Sequence, residues 1–209
     1  MACNEWNAKV DAMNPAKIEY VCLFCGAQVG PRPAYAEAAR QMGRALAQEG
    51  IGLVYGGGGI GLMFEAANAA MQAGGAVVGI ITEALMAREV GNRNVTELHV
   101  VRTMHERKAM MAARVQAFIG LPGGYGTFDE LCEMLTWNQL SILQTPVVLV
   151  NVDGYFDGFL MQLDRGVADG LLRPHHRAML SVVDRVDEVI GALRAWRPPA
   201  PIAPSGIRP

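Results

Sequence analysis

A glycine-rich turn between an apolar run and an amphipathic segment is the feature that most constrains this fold. The turn occupies residues 121–130 and reads Leu-Pro-Gly-Gly-Tyr-Gly-Thr-Phe-Asp-Glu, after an apolar run at 117–121 and before an amphipathic segment at 128–140. This order predicts a strand, a turn and a helix. Glycine adopts positive φ at little steric cost and lets a ligand approach the backbone. Because a helix start has free N–H groups and a positive dipole end, we expect this turn to bind an anion such as phosphate.

Glu130 closes this motif and allows two interpretations. Thr127 and Glu130 lie three residues apart, which is the spacing of a helix capping box, so Glu130 is sufficiently explained as a local cap. The other interpretation is a carboxylate placed beside a phosphate-binding turn. In either case the helix dipole favours the charged form, so we expect Glu130 to be ionised.

Apolar runs alternate with amphipathic segments along the rest of the chain. The predicted strands are 18–24, 51–55, 76–81, 97–101, 117–121, 146–150 and 182–183, and the predicted helices are 33–50, 62–72, 104–114, 128–140, 156–169 and a last one that Asp184 or Asp187 caps and that ends near Trp196. Continuous apolar strands that alternate with helices are typical of a parallel sheet covered on both faces. We predict a doubly wound, Rossmann-like α/β domain, which binds ligands at the carboxyl ends of its strands.

The length and composition fit one such domain. The chain has 209 residues, of which 51% are hydrophobic, enough for one substantial core. We assign 17–197 to the catalytic domain, 1–16 to a flexible N-terminal arm and the proline-rich 198–209 to a disordered tail. The net charge of −2 gives no general attraction to nucleic acid. With no apolar membrane-spanning run and no signal-peptide core, we expect a cytoplasmic protein without nucleic-acid or membrane partners.

A second glycine-rich turn, Gly56-Gly-Gly-Gly-Ile-Gly61, follows the second predicted strand. It fits G-x-G-x-x-G, and Glu83 follows about twenty residues later, as in a dinucleotide fingerprint. The match is weak, because four consecutive glycines satisfy many patterns and the turn does not follow the first strand. We interpret it as a nucleotide phosphate loop of unspecified type, and a purely structural tight turn is the alternative. The long polar loop at 82–96 is a further functional candidate.

The cysteines and histidines give no sign of redox or metal chemistry. Cys22 and Cys25 lie in a predicted strand, where residues three apart face opposite sides, so both are interpreted as core thiols rather than a redox pair. We expect no metal site, because metal-ligand spacing is missing among the four histidines, His99, His105, His175 and His176.

The predicted helix at 104–114 carries two cations beside an apolar stripe. Met104, Met111 and Val115 share the stripe, and Arg107 and Lys108 flank it. Two cations beside an inward stripe need an anionic partner or a route to solvent. Side chains that extend to solvent from a partly exposed face are the alternative.

Two motifs together resemble the LOG ("Lonely Guy") family of cytokinin riboside 5′-monophosphate phosphoribohydrolases. They are Met104-His-Glu-Arg-Lys-Ala and Pro122-Gly-Gly-Tyr-Gly-Thr-Phe-Asp-Glu130, and their separation is also similar to that of the family. The resemblance covers residues 18–183 and includes Tyr55-Gly-Gly-Gly, Thr136-Trp-Asn-Gln-Leu140 and Asn151-Val-Asp-Gly-Tyr155. Members are often labelled lysine decarboxylases, but no lysine here has the context that pyridoxal phosphate chemistry needs.

The resemblance implies hydrolysis of the N-glycosidic bond of nucleoside 5′-monophosphates, AMP included, with release of a free base and ribose 5-phosphate and with no cofactor. It implies that Arg107 and Glu130 are catalytic. A carboxylate near the ribose can stabilise an oxocarbenium-like transition state or orient water, and Arg107 stays charged at any working pH. The implied substrate-binding residues are Gly26, Gly57, Gly58, Glu89, Lys108, Gly123, Gly124, Tyr125, Gly126, Thr127 and Thr136.

Departures from the family bear on specificity, and one helix bears on assembly. Ala27-Gln28 stands where many members have Ser-Ser, which removes hydroxyl contacts, and Phe64 replaces a frequent glycine and is expected to narrow the second turn. The helix at 128–140 carries an apolar stripe (Phe128, Leu131, Cys132 and Leu135) and further apolar residues off it (Met134 and Trp137). A helix that is apolar on two sides is covered on both of them, by its own sheet and by a second surface. The resemblance implies a homodimer with sites near the interface, and a helix covered within one chain is the alternative.

Two other functions remain open from the sequence. Related folds include a molybdenum cofactor carrier, which binds without hydrolysis, but binding alone does not ask for Arg107 and Glu130 together. A nicotinamide oxidoreductase would use the turn Gly56 to Gly61 and would leave the second motif unexplained.

Overall fold

One parallel sheet organises the part of the chain that the computed structural model describes, residues 18–89 and 91–197. Its seven strands run in the order β4-β3-β2-β1-β5-β6-β7. They are β1 (Tyr20–Phe24), β2 (Gly52–Tyr55), β3 (Val77–Thr82), β4 (Glu97–Val101), β5 (Ala117–Gly120), β6 (Val147–Val150) and β7 (Leu180–Val183). Every neighbouring pair is parallel. The predicted doubly wound α/β fold is therefore confirmed, and the order reverses between β1 and β5.

Helices cover both faces of the sheet. They are α1 (Pro33–Gln48), α2 (Gly61–Gln72), α3 (Glu83–Glu89), α4 (Met104–Ala113), α5 (Tyr125–Gln139), α6 (Asp157–Ala168), α7 (Pro174–Arg177) and α8 (Val189–Ala195). One core packs α1, α2 and α8 against the sheet, and the other packs α4 and α5 against the opposite face. Helix α1 begins with Pro33, whose fixed φ and missing N–H suit the first helical position. The predicted arm and tail lie outside the described residues.

The strand side chains alternate between these two cores, as a period of two requires. Cys25 belongs to the core under α1 and α2, whereas Cys22 belongs to the opposite core. Burial raises the pKa of both thiols well above the usual range. The prediction of two core thiols on opposite faces is confirmed by their burial in the two different cores, and the raised pKa disfavours the reactive thiolate.

Two predictions about helix boundaries are wrong. The segment 82–96 is not one long loop, because α3 occupies its first half, with Glu83 in the first turn and Arg88 in the last, where each charge suits the helix dipole. Neither Asp184 nor Asp187 caps the last helix. A 3-10 turn, Val186–Glu188, precedes α8, and the Glu188 carboxylate accepts hydrogen bonds from two backbone N–H groups just before it.

Helix α5 starts earlier than the sequence predicts. Gly124 is its N-cap, and the Phe128 N–H donates to the Gly124 carbonyl at 3.1 Å. The predicted capping box of Thr127 and Glu130 is therefore wrong, since both lie inside the helix. A capping box exists instead at α4, where the Thr103 hydroxyl accepts from the Glu106 N–H at 3.1 Å.

The buried face of α5 also differs from the predicted apolar stripe. Cys132, predicted to lie on that stripe, is exposed, and Phe128 and Leu135 are half-buried. The buried residues of α5 are Thr127, Glu130, Leu131, Met134 and Asn138. The face that packs against the sheet thus carries polar groups, including the carboxylate of the motif. No helix within residues 18–89 and 91–197 is long and apolar enough to cross a bilayer.

Candidate functional site

The candidate site lies where the strand order reverses, at the carboxyl ends of β1 and β5. The loop after β1 meets the loop after β5 through the Gly26 N–H, which donates to the Pro122 carbonyl at 3.0 Å. The Gly26 carbonyl accepts from the Leu62 N–H at 2.9 Å, which ties α2 to the same point. A cavity of about 680 Å³ opens above these loops. Switch points of doubly wound sheets are the usual ligand sites of this fold.

The start of α5 lines this cavity with unused hydrogen-bond donors. The first four N–H groups of a helix, counted from its N-cap, have no partner within the helix. In α5 these belong to Gly124, Tyr125, Gly126 and Thr127, and none of them donates to another group of the described chain. Gly124 and Gly126 are exposed, and the Tyr125 side chain, 95% exposed, stands at the rim. Free donors at a helix N-terminus suit a phosphate group.

A buried ion pair forms the floor of the cavity. Arg107 is 6% exposed and Glu130 is 8% exposed, and Nη1 of the arginine lies 3.2 Å from Oε1 of the glutamate. Arg107 also donates from Nε to the Ile80 carbonyl at 2.9 Å and from Nη2 to the Gly56 carbonyl at 3.3 Å. The arginine is therefore held from three directions and does not extend to solvent, which removes the alternative that the sequence left open.

The second glycine-rich turn makes room for this arginine. A Cβ atom on Gly56 would lie 2.1 Å from Nη2 of Arg107, so any side chain at this position would displace the guanidinium. Gly57 has φ of +73° and packs against β3, and its carbonyl accepts from the Asn92 N–H at 3.0 Å. Gly57 and Gly58, predicted to contact substrate, are not among the residues that line the cavity. These packing contacts fit the structural alternative, and a substrate contact of Gly57 or Gly58 stays a prediction.

The protonation of Glu130 differs from the prediction. Burial raises the pKa of this carboxyl to about 7, although the nearby Arg107 guanidinium opposes the shift. The sequence predicts a fully ionised group from the helix start, whereas burial on the packed face of α5 shifts the pKa in the opposite direction. At neutral pH the group is therefore poised between its two forms, a property common among catalytic carboxyls.

Lys108 lies behind the cavity rather than in it. Its ammonium is 2.8 Å from the Glu133 carboxylate and 3.2 Å from that of Asp129, and it links α4 to α5. Burial alone would lower the pKa of Lys108, but the two carboxylates outweigh this and raise it. Lys108 is therefore not among the residues that line the cavity, and its contact with substrate stays a prediction.

Two other sequence-predicted residues, Thr136 and Phe64, do not line the cavity either. Thr136 is exposed on α5 and its hydroxyl donates to the Cys132 carbonyl at 2.7 Å. Phe64 is exposed on α2 and is not among the residues that line the cavity. Glu89 ends α3, and its side chain lies outside the described part of the structure. By contrast Gly26, Gly123 and Gly124 to Thr127 all line the cavity.

The cavity also contains residues that sequence reasoning missed. Met63, Leu85 and Met104 give it an apolar side. Met104 was placed on an inward stripe, but as the first residue of α4 it is partly exposed and faces the cavity. Tyr155 also lines the cavity, and the sequence marks it only as the last residue of the motif Asn151-Val-Asp-Gly-Tyr155. No group of potential metal ligands is present among residues 18–89 and 91–197.

Comparison with known proteins gives one family. A family model described as possible lysine decarboxylase matches residues 63–193. A protein of Oryza sativa subsp. japonica named probable cytokinin riboside 5′-monophosphate phosphoribohydrolase LOGL9 is 44% identical, over 85% of this chain and 82% of its own. The cytokinin riboside 5′-monophosphate phosphoribohydrolase LOG7 of Arabidopsis thaliana is 42% identical, over 88% of this chain and 84% of its own.

A solved structure of low sequence identity shares the fold. The molybdenum cofactor carrier protein of Chlamydomonas reinhardtii superposes with a TM-score of 0.63 at 20% identity, over 85% of this chain and 97% of the carrier. At this identity the likeness shows the architecture and nothing about the ligand.

Proposed function

Because the chain belongs to the LOG family of cytokinin riboside 5′-monophosphate phosphoribohydrolases, we propose that it hydrolyses the N-glycosidic bond of nucleoside 5′-monophosphates. The products are a free base and ribose 5-phosphate. The observation that carries the proposal is the buried pair of Arg107 and Glu130 directly beside the free N–H groups of α5. One element thus offers an anion site and a carboxylate one helical turn apart.

In the proposed reaction, the 5′-phosphate binds at the N-terminus of α5, where N–H groups and the dipole favour an anion. The ribose then lies over the floor of the cavity, near Glu130. As the bond between C1′ and the base nitrogen breaks, positive charge develops on the ring, and the Glu130 carboxylate stabilises it. A water oxygen forms the new bond to C1′, and its proton leaves through Glu130, while the base takes up a proton on departure. Arg107 holds the carboxylate in position.

The apolar side of the cavity supports a purine base with an apolar substituent. Met63, Leu85 and Met104 contribute flexible side chains that adapt to an isoprenoid or aromatic group. We propose cytokinin riboside monophosphates as substrates and AMP as a second one. A panel of AMP, GMP, CMP and N6-prenylated AMP tests this: base release fastest from the N6-prenylated compound supports the proposal, and equal rates across the panel contradict the apolar assignment.

The chain is not a lysine decarboxylase. A lysine that carries pyridoxal phosphate must present a free amine to form the imine. The chain has three lysines, at positions 9, 17 and 108. The first two lie outside the described residues, and Lys108 is held as an ammonium between Glu133 and Asp129.

We further propose that the protein is a cytoplasmic homodimer. The outer face of α5, with Cys132, Thr136 and Leu140, is exposed, and α6 beside it has no buried residue. A second copy on this surface would cover it and would bring Thr136 towards the cavity of that second copy. This arrangement would account for a residue of the family pattern that lies outside the cavity of its own chain. The exposed free thiol of Cys132 suits a reducing compartment. Sedimentation at the concentration of the activity assay tests the dimer, and a fully active monomer contradicts it.

The second candidate is a carrier of the same fold that binds a nucleotide-like ligand without hydrolysis. The shared architecture is compatible with it, but a carrier does not require the Arg107–Glu130 pair. A nicotinamide oxidoreductase is less well supported, because the turn Gly56 to Gly61 packs on Arg107. An absorbance titration with NADH and NADPH distinguishes it, since we expect no binding of either.

We expect kcat/KM for AMP to rise with pH through about 7 and to level off above it. The reaction needs the ionised form of Glu130, and burial favours the neutral form, so the carboxylate becomes available only as pH passes the raised pKa of about 7. The second ionisation of the substrate phosphate has a pKa of about 6. It adds a separate rise to the pH profile, about one pH unit below that of Glu130. A profile measured from pH 5 to 9 checks this, and activity that falls through pH 7 would make protonated Glu130 the active form.

A further inference from the structure

A tyrosine from outside the motif holds one peptide group of the phosphate-binding turn. The hydroxyl of Tyr155 donates a hydrogen bond of 2.5 Å to the carbonyl of Gly123. Tyr155 follows β6 and lines the same cavity. It lies 32 residues after Gly123 in the sequence. Nothing in the proposed reaction so far uses this residue.

The segment that carries Tyr155 has a specific shape. Asp153 has φ of +52° and Gly154 has φ of +71°, so two consecutive residues adopt left-handed conformations, which glycine adopts freely and aspartate tolerates better than most residues. Asn151 holds this shape, because its side chain accepts from the Phe156 N–H at 2.8 Å and donates to the Asp157 carboxylate at 2.8 Å.

The ring of Tyr155 is fixed as well. Its edge-to-face contacts place the centroid of Phe156 at 4.9 Å and that of Tyr35 at 5.4 Å. Phe156 is fully buried, so it forms an immobile backing. The ring is therefore held between the buried Phe156 on one side and Tyr35 of α1 on the other, and its hydroxyl contacts the Gly123 carbonyl.

The contact has a directional consequence for the phosphate site. A trans peptide holds its C=O and N–H antiparallel. Fixing the Gly123 carbonyl therefore fixes the direction of the Gly124 N–H, which is one of the free donors at the start of α5. At one end of this peptide Gly123 packs against Thr127 and Gly26, whereas Gly124 has no atom within 4 Å of the position of a Cβ. On the open side the Tyr155 hydroxyl adds a hydrogen bond that orients the carbonyl.

We propose that Tyr155 is a positioning residue for the 5′-phosphate, which holds the Gly123 carbonyl away from the anion and aims the Gly124 N–H at it. The inference rests on the proposed function, in that the anion is the 5′-phosphate of a nucleotide. Without the hydroxyl, the peptide between two glycines can rotate and present its carbonyl oxygen to the phosphate. The loss then falls on binding of the phosphate and not on bond cleavage.

Tyr155→Phe tests this, because it removes the hydroxyl and keeps the ring. We expect KM for AMP to rise roughly three- to tenfold, the size of one hydrogen bond, while kcat changes by less than about twofold. The dissociation constant of ribose 5-phosphate, measured by calorimetry, should rise by the same factor, and that of adenosine, which lacks the phosphate, should not change. Tyr20→Phe, at the opposite end of the sheet, is the matched control and should behave as wild type.

The outcomes separate this proposal from the proposed function. Unchanged KM and unchanged ribose 5-phosphate affinity in Tyr155→Phe overturn the positioning role. So does weaker binding of adenosine in parallel with a lower melting temperature, which would make the residue merely structural. A wild-type protein that binds ribose 5-phosphate but releases no base refutes hydrolysis, and the calorimetric comparison still decides the role of Tyr155.

Discussion

Glu130→Gln lowers the rate of base release from AMP by about three orders of magnitude, which corresponds to about 4 kcal/mol of transition-state stabilisation. Glutamine keeps the size of the side chain and still accepts a hydrogen bond from Arg107, but it cannot carry the negative charge that the oxocarbenium-like transition state requires. The fold should remain, because Arg107 keeps its bonds to the Ile80 and Gly56 carbonyls. Steady-state base release and the melting temperature measure the two effects.

Glu83→Gln is the matched control for this prediction. Glu83 is exposed in the first turn of α3 and is the acidic residue of the apparent dinucleotide fingerprint. We expect its activity to equal that of wild type. Full activity in Glu130→Gln would reduce Glu130 to a buried partner of Arg107, and a large loss in Glu83→Gln would revive the fingerprint interpretation.

Arg107→Lys lowers activity by about a hundredfold and also destabilises the protein, by about 1–3 kcal/mol. One planar guanidinium reaches the carbonyls of Ile80 and Gly56 and the carboxylate of Glu130 at the same time. An ammonium cannot satisfy all three, so a buried carbonyl loses its donor and Glu130 loses its fixed orientation. Arg102→Lys, at an exposed arginine just before the same helix, is the control and should change neither quantity.

Gly56→Ala perturbs the same guanidinium without altering its chemistry. The added methyl group would lie 2.1 Å from Nη2 of Arg107, so the side chain must move. Activity should therefore fall although Arg107 and Glu130 are both present. Gly191→Ala, in α8 with open space around it, is the control and should keep full activity. A fully active Gly56→Ala protein would show that the position of Arg107 is not critical.

The sequence predicts the sheet, the switch point and the Arg107–Glu130 pair because these depend on local patterns and on a paired motif. It fails at the start of α5, where Thr127 and Glu130 have capping-box spacing but Gly124, an N-cap without a side chain, begins the helix. It also fails for the pKa of Glu130, since burial on a helix face depends on the packing of α5 against the sheet.

The role of the second glycine-rich turn shows the same limit. Its glycines fit a phosphate loop as well as they fit a close approach of another side chain. Which of the two applies depends on Arg107, which contacts the Gly56 carbonyl. Arg107 lies on α4, and β3 and β4 separate it from Gly56 in the sequence. Tyr155 belongs to a motif that the sequence shows, but its contact does not follow from the sequence, because its partner is a backbone carbonyl that no pattern marks.

The most direct measurement of the central claim is the stoichiometry of the products. The purified protein is incubated with N6-prenylated AMP, and free base and ribose 5-phosphate are quantified over time by chromatography, with Glu130→Gln in parallel. Hydrolysis predicts equal molar amounts of the two products over many turnovers, and almost none from the variant. Nucleotide that binds to both proteins and is recovered intact from both would contradict the account and identify a carrier.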